Sequence, residues 1–464
     1  MALYGIIFGS FPALSVAEIE AIIPSLKLRE GKGELWSVSQ SAVLLEGPSD
    51  DVMIDLFDRL GGAVRLVSVV FQSLATSAIP GQLSKCLNAI VWPRPIFGIT
   101  VVGDGRGGIT PLMIQRWGLE LKKEFRVSGR SSRFVFDKNL ILSAAQVKKN
   151  QMLEKGGEFV IVGNQGRWSI GTTLAIQDVD EWAERDMERP RRNARRGMLP
   201  PKIARIMVNL AGISHRLGRG PARCGGNQRH SGEAMPRPES AGSDSGQARM
   251  TTILDPFCGS GTVLMEALQL GYSVIGSDVS TEAVGDTKQN LEWLNIQCHS
   301  GPRAGIQKTI VDPRIKSKDD GSFNLFISDV RSLAQKLPPH SIDAIVTEPD
   351  LGPPQGRLLS SAREIERTRT QLASLYISAF EEFRKLLKPG GRVVMSLPVW
   401  RVGPPHTQLI YAIKDLNTIK GFKIIPPISR NLEPITYHLS PRPTLLYGRP
   451  EQFVWREILI LKTV

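Results

Sequence analysis

The stretch ILDPFCGSGTVLMEALQLGYSVIGSDVS, residues 253–280, constrains the fold of this 464-residue chain more than any other. Ile253 and Leu254 run into a turn holding Gly259, Ser260 and Gly261. An apolar run follows and stops at Gly271, and a second strand-like run delivers Asp278. The order strand, glycine turn, helix, strand, acid is that of a half-site for a nucleoside-bearing ligand. Glycines let backbone N–H groups approach such a ligand closely, and the helix start behind them favours electron-rich groups. Asp278 follows Asp255 at close to the roughly 20-residue distance at which an acid on the second strand meets ribose hydroxyls.

The wording of the turn narrows the ligand. It reads G-S-G-T, not G-x-G-x-x-G, and Asp255 stands before it, where a carboxylate would repel a pyrophosphate. A sulfonium and an ammonium on a phosphate-free nucleoside suit it instead, which describes S-adenosyl-L-methionine. The plainer alternative is an ordinary βαβ unit with a tight turn. DPFCGSGT resembles the class I methyltransferases, in particular the RNA methylases that carry a THUMP domain and modify the exocyclic N2 amine of guanine in tRNA. That resemblance implies donor contacts from Asp255, Pro256, Phe257, Gly259, Ser260, Gly261, Thr262 and Asp278. It also places Asp329, at the end of FNLFISDV, beside the adenine.

SIDAIVTEPDLGPP, residues 341–354, is an apolar strand broken by Glu348, Pro349 and Asp350. Such a strand puts a rigid acceptor cluster at the carboxyl edge of a parallel sheet, where ligand chemistry collects. The family carries Asp/Asn-Pro-Pro-aromatic here. Glu348 matches its acid and Pro349 its first proline, whereas Asp350 and Leu351 depart from it, so the aromatic platform for a flipped base is missing at that position. The resemblance implies that Glu348, Pro349 and Asp350 are catalytic. Further on, LASLYISAFEEFRKLLKPGG reads as a helix, RVVMSLPVW as a strand, and REILILKTV as a last, antiparallel strand.

A net charge of +13, from 58 Lys plus Arg against 45 Asp plus Glu, favours a polyanionic partner. RDMERPRRNARRGMLPPKIAR, residues 185–205, is the most one-sided segment. Besides Arg185, Arg189 and Arg205, it offers Arg191, Arg192, Arg195, Arg196 and Lys202 as phosphate contacts beside a helix at 203–211. Cys86, Cys224, Cys258 and Cys298 form no C-x-x-C pair and the histidines are scattered, so neither a disulfide framework nor a metal site is expected. With no apolar run near 18 residues and no basic leader, a cytoplasmic protein without a membrane partner is expected.

The first half alternates helix and strand. SVAEIEAIIPSL carries Ser15 and Glu18 at capping-box spacing, LWSVSQSAVLLEG alternates like a strand, and VRLVSVVF closes a small unit. IFGITVV, PLMIQRWGLELKKEF, SRFVF, ILSAAQVKKNQMLEKG and EFVIV follow as strand, helix, strand, helix and strand, while GDGRGG (103–108) reads as a flexible turn. The expected class is α/β. A Rossmann-like methyltransferase domain, with a mostly parallel sheet and an antiparallel last strand, occupies 250–464. It is preceded by a ferredoxin-like α+β unit (1–75), a THUMP-like unit (76–176), a basic linker and helix (177–212) and a disordered insertion (213–249); a second polar insertion spans 299–322. The expected function is S-adenosyl-L-methionine-dependent methylation of tRNA at guanosine N2, with position ten as one candidate site, and with or without an activating subunit. A DNA adenine-N6 methyltransferase, or a degenerate protein that binds donor and tRNA only, remains as an alternative.

Overall fold

The two expected N-terminal units share one sheet. The computed structural model describes the chain apart from residues 1, 24–36, 39–40, 88–89, 104–107, 165, 193–197, 214–250, 301–322, 353–361, 403–407 and 429–441. The core of GDGRGG, Arg195, Arg196, nearly all of the 213–249 insertion and most of the 299–322 insertion therefore lie outside the described residues. Strands β1 (Ala2–Phe8), β2 (Ser37–Val38), β3 (Ala42–Gly47), β4 (Ala63–Leu74), β5 (Ile96–Gly103), β6 (Arg133–Val135), β7 (Gly156–Asn164) and β8 (Arg167–Ile176) line up as β2-β3-β1-β4-β8-β7-β5-β6. Helices Pro12–Ile22 and Asp50–Arg59 connect β1 to β2 and β3 to β4, and β1 runs antiparallel to both β3 and β4. This is the split βαβ arrangement of a ferredoxin-like unit. The β7–β8 hairpin then carries the sheet on, because β8 pairs antiparallel with β4 across the expected boundary at 75/76.

Local expectations met long-range competition in two places. Helix Pro12–Ile22 takes Phe11 as its N-cap, so Ser15 lies inside the helix instead of capping it, and Ser15 and Glu18 form no capping box. Ser15 Oγ instead donates to Gly62 O at 2.9 Å, and Glu18, fully buried, accepts from the N–H groups of Gly61 and Gly62 at 2.8 Å each. The run at 140–156 forms two short helices, Ala144–Lys149 and Met152–Lys155, separated by Gln151 at φ +51°.

The second sheet contains β9 (Thr252–Asp255), β10 (Ser273–Asp278), β11 (Phe323–Ile327), β12 (Ile342–Thr347), β13 (Leu387–Val402), β15 (Phe422–Ile424) and β17 (Val454–Thr463), in the order β11-β10-β9-β12-β13-β17-β15; β14 (Gln408–Tyr411) pairs with β13 and β16 (Leu445–Tyr447) with β17. The first five are parallel and β17 is antiparallel to β13, as expected for the class I methyltransferase sheet. Helix Pro201–Leu210 joins the two halves. All its residues except Lys202 are buried, so it is covered on every side, against helix Pro12–Ile22 on one flank and helix Thr262–Gln269 on the other. One apolar core consequently runs from Tyr4 and Leu14 through Ile206 and Met207 to Leu264 and Ile460. No helix among the described residues is long and apolar enough to cross a membrane.

Candidate functional site

The parallel strands bring the expected acids to one edge. β9 ends in Asp255, β10 in Asp278, and Glu348 follows β12. Strands β9 and β12 are neighbours, and Thr347 Oγ1 donates to Asp255 Oδ1 at 2.6 Å while the Phe257 N–H donates to the same oxygen at 3.2 Å. Asp255 is 2% exposed. Burial pushes its carboxyl up to about 7, with the charges of Asp278 and Glu348 adding to the effect and the two hydrogen bonds opposing it. A cation placed here relieves that repulsion, whereas a phosphate would aggravate it.

The glycine turn is built for close approach. Gly259 (φ +53°) and Gly261 (φ +83°) both adopt backbone that other residues rarely reach. A Cβ on Gly259 would meet nothing nearer than Phe257 O at 3.9 Å, so that side of the turn is open to a ligand; one on Gly261 would press on Thr287 at 3.0 Å. Asp278 braces the turn, accepting from Gly259 N at 3.1 Å and from Ser280 N at 2.9 Å. Each of its oxygens keeps capacity for a ribose hydroxyl. Pro256 is buried and Phe257 half-buried against the core beneath β12 and β13. Asp329 stands beyond β11 and is held by Arg331, whose Nη2 lies 2.6 Å from Oδ2, which keeps the carboxyl below the usual range.

Three supports carried no motif. Asn290 Nδ2 donates to Ser260 O at 2.8 Å and to Arg191 O at 2.8 Å, and Thr287 Oγ1 donates to Gly259 O at 2.9 Å. Both sit on the buried stripe of helix Thr281–Ser300 with Ala283, Leu291 and Leu294; polar residues on an apolar stripe were the available signal. The third is Arg456, on β17, which reaches Glu348: Nη2 lies 3.2 Å from Oε2, Nε pairs with Oε1, and Ser396 Oγ donates to Oε1 at 3.2 Å. Pro349 is buried, while Asp350 is exposed and its carbonyl accepts from the Tyr376 hydroxyl.

The basic segment divides, and this corrects its reading as one phosphate strip. Arg185 and Arg205 are buried and share Glu266 of helix Thr262–Gln269, at 2.9 and 2.6 Å. Arg189, 3% exposed, donates to Thr262 Oγ1 at 2.7 Å, so the Thr262 side chain is tied to the linker. Lys202 is half-buried, donates to Gln177 Oε1 and lies 5.4 Å from the Trp182 ring centre, which removes its ammonium from the strip. Burial outweighs the charge of these side chains because each finds a partner inside. Arg191 and Arg192 stay exposed, Arg191 with its Nε on Gln289 Oε1 at 2.8 Å. Among the described residues no group of three His, Cys, Asp or Glu is placed to hold a metal ion.

Residues 243–399 match the family model for UPF0020, described as an RMKL-like methyltransferase domain. The chain is 29% identical over 202 residues to the tRNA (guanine(10)-N2)-dimethyltransferase of Methanothermobacter thermautotrophicus, a match covering 44% of this chain and 39% of that protein. Against the enzyme of the same name from Methanocaldococcus jannaschii it is 25% identical over 229 residues, covering 49% of this chain and 46% of the other. The chain thus spans under half the length of these two curated relatives. Among solved structures it is similar to TrmN from Thermus thermophilus, with 16% identity, full coverage of both chains and a TM-score of 0.48. The matched segment, from the glycine turn to β13, is a methyltransferase domain.

Proposed function

We propose that this chain is an S-adenosyl-L-methionine-dependent tRNA methyltransferase that modifies the N2 amine of a guanosine. The observation that carries the reading is the convergence of Asp255, Asp278 and Glu348 on one sheet edge beside the open face of Gly259. Support also comes from the match of 243–399 to a methyltransferase domain and from relatives named for guanine(10)-N2 dimethylation of tRNA. When bound, the donor supplies a methyl carbon on a sulfonium that leaves as a neutral thioether once the acceptor nitrogen bonds that carbon. Asp255 offers the negative charge that a sulfonium or ammonium needs, and Asp278 the ribose acceptors.

Glu348 addresses the acceptor. A guanine amine is a weak nucleophile because its lone pair is delocalised into the ring. Glu348 Oε2 holds one N–H and takes the proton as the nitrogen bonds carbon, while buried Pro349 fixes the strand end and the Asp350 carbonyl is anchored by Tyr376. The 76–176 unit, THUMP-like in this reading, and the exposed Arg191 and Arg192 hold the tRNA. Arg195 and Arg196, outside the described residues, are assigned with them.

The test is incorporation of labelled methyl groups into unmodified tRNA and into duplex DNA, followed by nucleoside mass spectrometry. N2-methylated guanosine from tRNA supports the reading, and N6-methyladenosine from DNA overturns it. Retention of the donor with no product on either substrate would favour a binding protein. Glu348→Ala is expected to abolish transfer and leave donor affinity unchanged.

A further inference from the structure

The pairing of Glu348 with Arg456 is more specific than a staple between strands requires. Thr347 pairs with Met395 of β13, which sets Glu348 beside Ser396, and Arg456 lies one strand further, opposite Pro398. Its guanidinium reaches across β13, 5.8 Å from the Tyr447 ring centre, and meets the carboxylate along one edge with side-chain exposures of 8% and 12%. Oε1 takes two donors, Arg456 Nε and Ser396 Oγ, and Oε2 takes one, so Oε2 keeps the larger share of unused acceptor capacity. A buried ion pair is a poor stabiliser compared with apolar residues of the same size. This one stands where two further carboxylates, Asp255 and Asp278, already crowd the edge. A guanidinium held along one edge of a carboxylate fixes the plane of its two oxygens, because the two N–H groups of the fork set its rotation.

We propose that Arg456 is a positioning residue for methyl transfer: it holds the Glu348 carboxylate turned so that Oε2 faces the acceptor amine. This rests on the acceptor role assigned to Glu348 above. Arg456→Met keeps an unbranched apolar stem and removes the charge and the fork. In steady-state assays with unmodified tRNA, kcat should fall about a hundredfold, the loss typical of a misplaced reacting group, while donor affinity and the KM for tRNA hold within about twofold. Arg456→Lys, which restores charge but not the planar fork, should recover only part of kcat. Should Arg456→Met fail to fold, Arg456→Lys alone serves, and wild-type kcat in that variant would overturn the proposal. An active wild-type enzyme whose kcat is unchanged in Arg456→Met would likewise overturn this proposal alone. A wild-type enzyme that methylates no guanosine would overturn the functional reading and this proposal with it.

Discussion

Donor binding should be coupled to the loss of a proton from Asp255. Its carboxyl sits at about 7 in the structure, chiefly through burial and further through Asp278 and Glu348. A sulfonium or ammonium beside it favours the ionised form and draws it back toward the ordinary carboxylate range of about 4. Only the ionised fraction then binds well, and that fraction drops from about one half at pH 7 to about 3% at pH 5.5. Affinity for S-adenosyl-L-methionine should therefore weaken roughly fifteenfold across that interval, equivalent to about 1.6 kcal/mol. The interval lies below the range, near pH 8, where an α-amino group titrates, so the donor's own charge stays constant. Calorimetry in two buffers of different ionisation enthalpy should show close to one proton released per donor bound at pH 6. In Asp255→Asn both the pH dependence and the proton release should vanish. An affinity that varies less than twofold between pH 5.5 and 7 in the wild type would refute the assignment of Asp255 to the cation.

Three further outcomes follow from the same contacts. Glu266→Ala strands Arg185 and Arg205 inside the protein and should cost about 3–5 kcal/mol in urea unfolding, a loss under about 1 kcal/mol showing that the two guanidiniums find other partners. Glu18 is pushed up to about 7 by burial, against its hydrogen bonds from Gly61, Asn209 and Gly62. Its contribution to stability is therefore full below the unfolded value near 4.5 and lost as pH rises through about 7; Glu18→Gln should flatten that decline in melting temperature between pH 5 and 8, and an unaltered slope would exclude Glu18 as its source. Arg192→Gln, at an exposed position, should lower the slope of log Kd against log salt for tRNA by about 0.7–1, and an identical slope from about 50 to 300 mM salt would remove Arg192 from the phosphate contacts.

The turn, its two flanking strands and the acid after β10 were legible because each depends on a few adjacent residues. Gly259, Gly261, Asp255 and Asp278 fall within one strand–turn–helix–strand unit, and the left-handed backbone of the glycines is a local requirement. Most strands of the second sheet were legible in the same way, as apolar runs ending in REILILKTV, whereas their order was not. What escaped was set across distance. Ser15 and Glu18 have capping-box spacing, yet the N–H groups of Gly61 and Gly62, 43 and 44 residues on, offer Glu18 two buried donors, and no local pattern encodes them. The strand Arg167–Ile176 lay beyond the last strand read in the first half, and its pairing with β4 is what joins two units into one sheet. Arg456 is one of three charged residues on a largely apolar strand, and its meaning depends on Glu348, 108 residues away in sequence.

The arginines of the linker show why charge composition alone did not separate the buried cations from the exposed ones. A run of cations between two modules satisfies two demands at once, and burial decides which residue meets which. Arg185 and Arg205 close on Glu266 and flank Trp182, with guanidinium carbons 4.3 and 5.3 Å from the ring centre, while Arg189 ties the first residue of the helix behind the glycine turn. The backbone of Arg191 is fixed to Asn290, which in turn holds Ser260 O. These contacts set the exposed side chains of Arg191 and Arg192 at a defined distance from the turn. The residues that anchor these two arginines are the same ones that brace the turn, so a polyanion held by them, as proposed, would meet the sheet edge in a fixed register. Only the partners inside the protein distinguish the buried cations of the segment from the exposed ones.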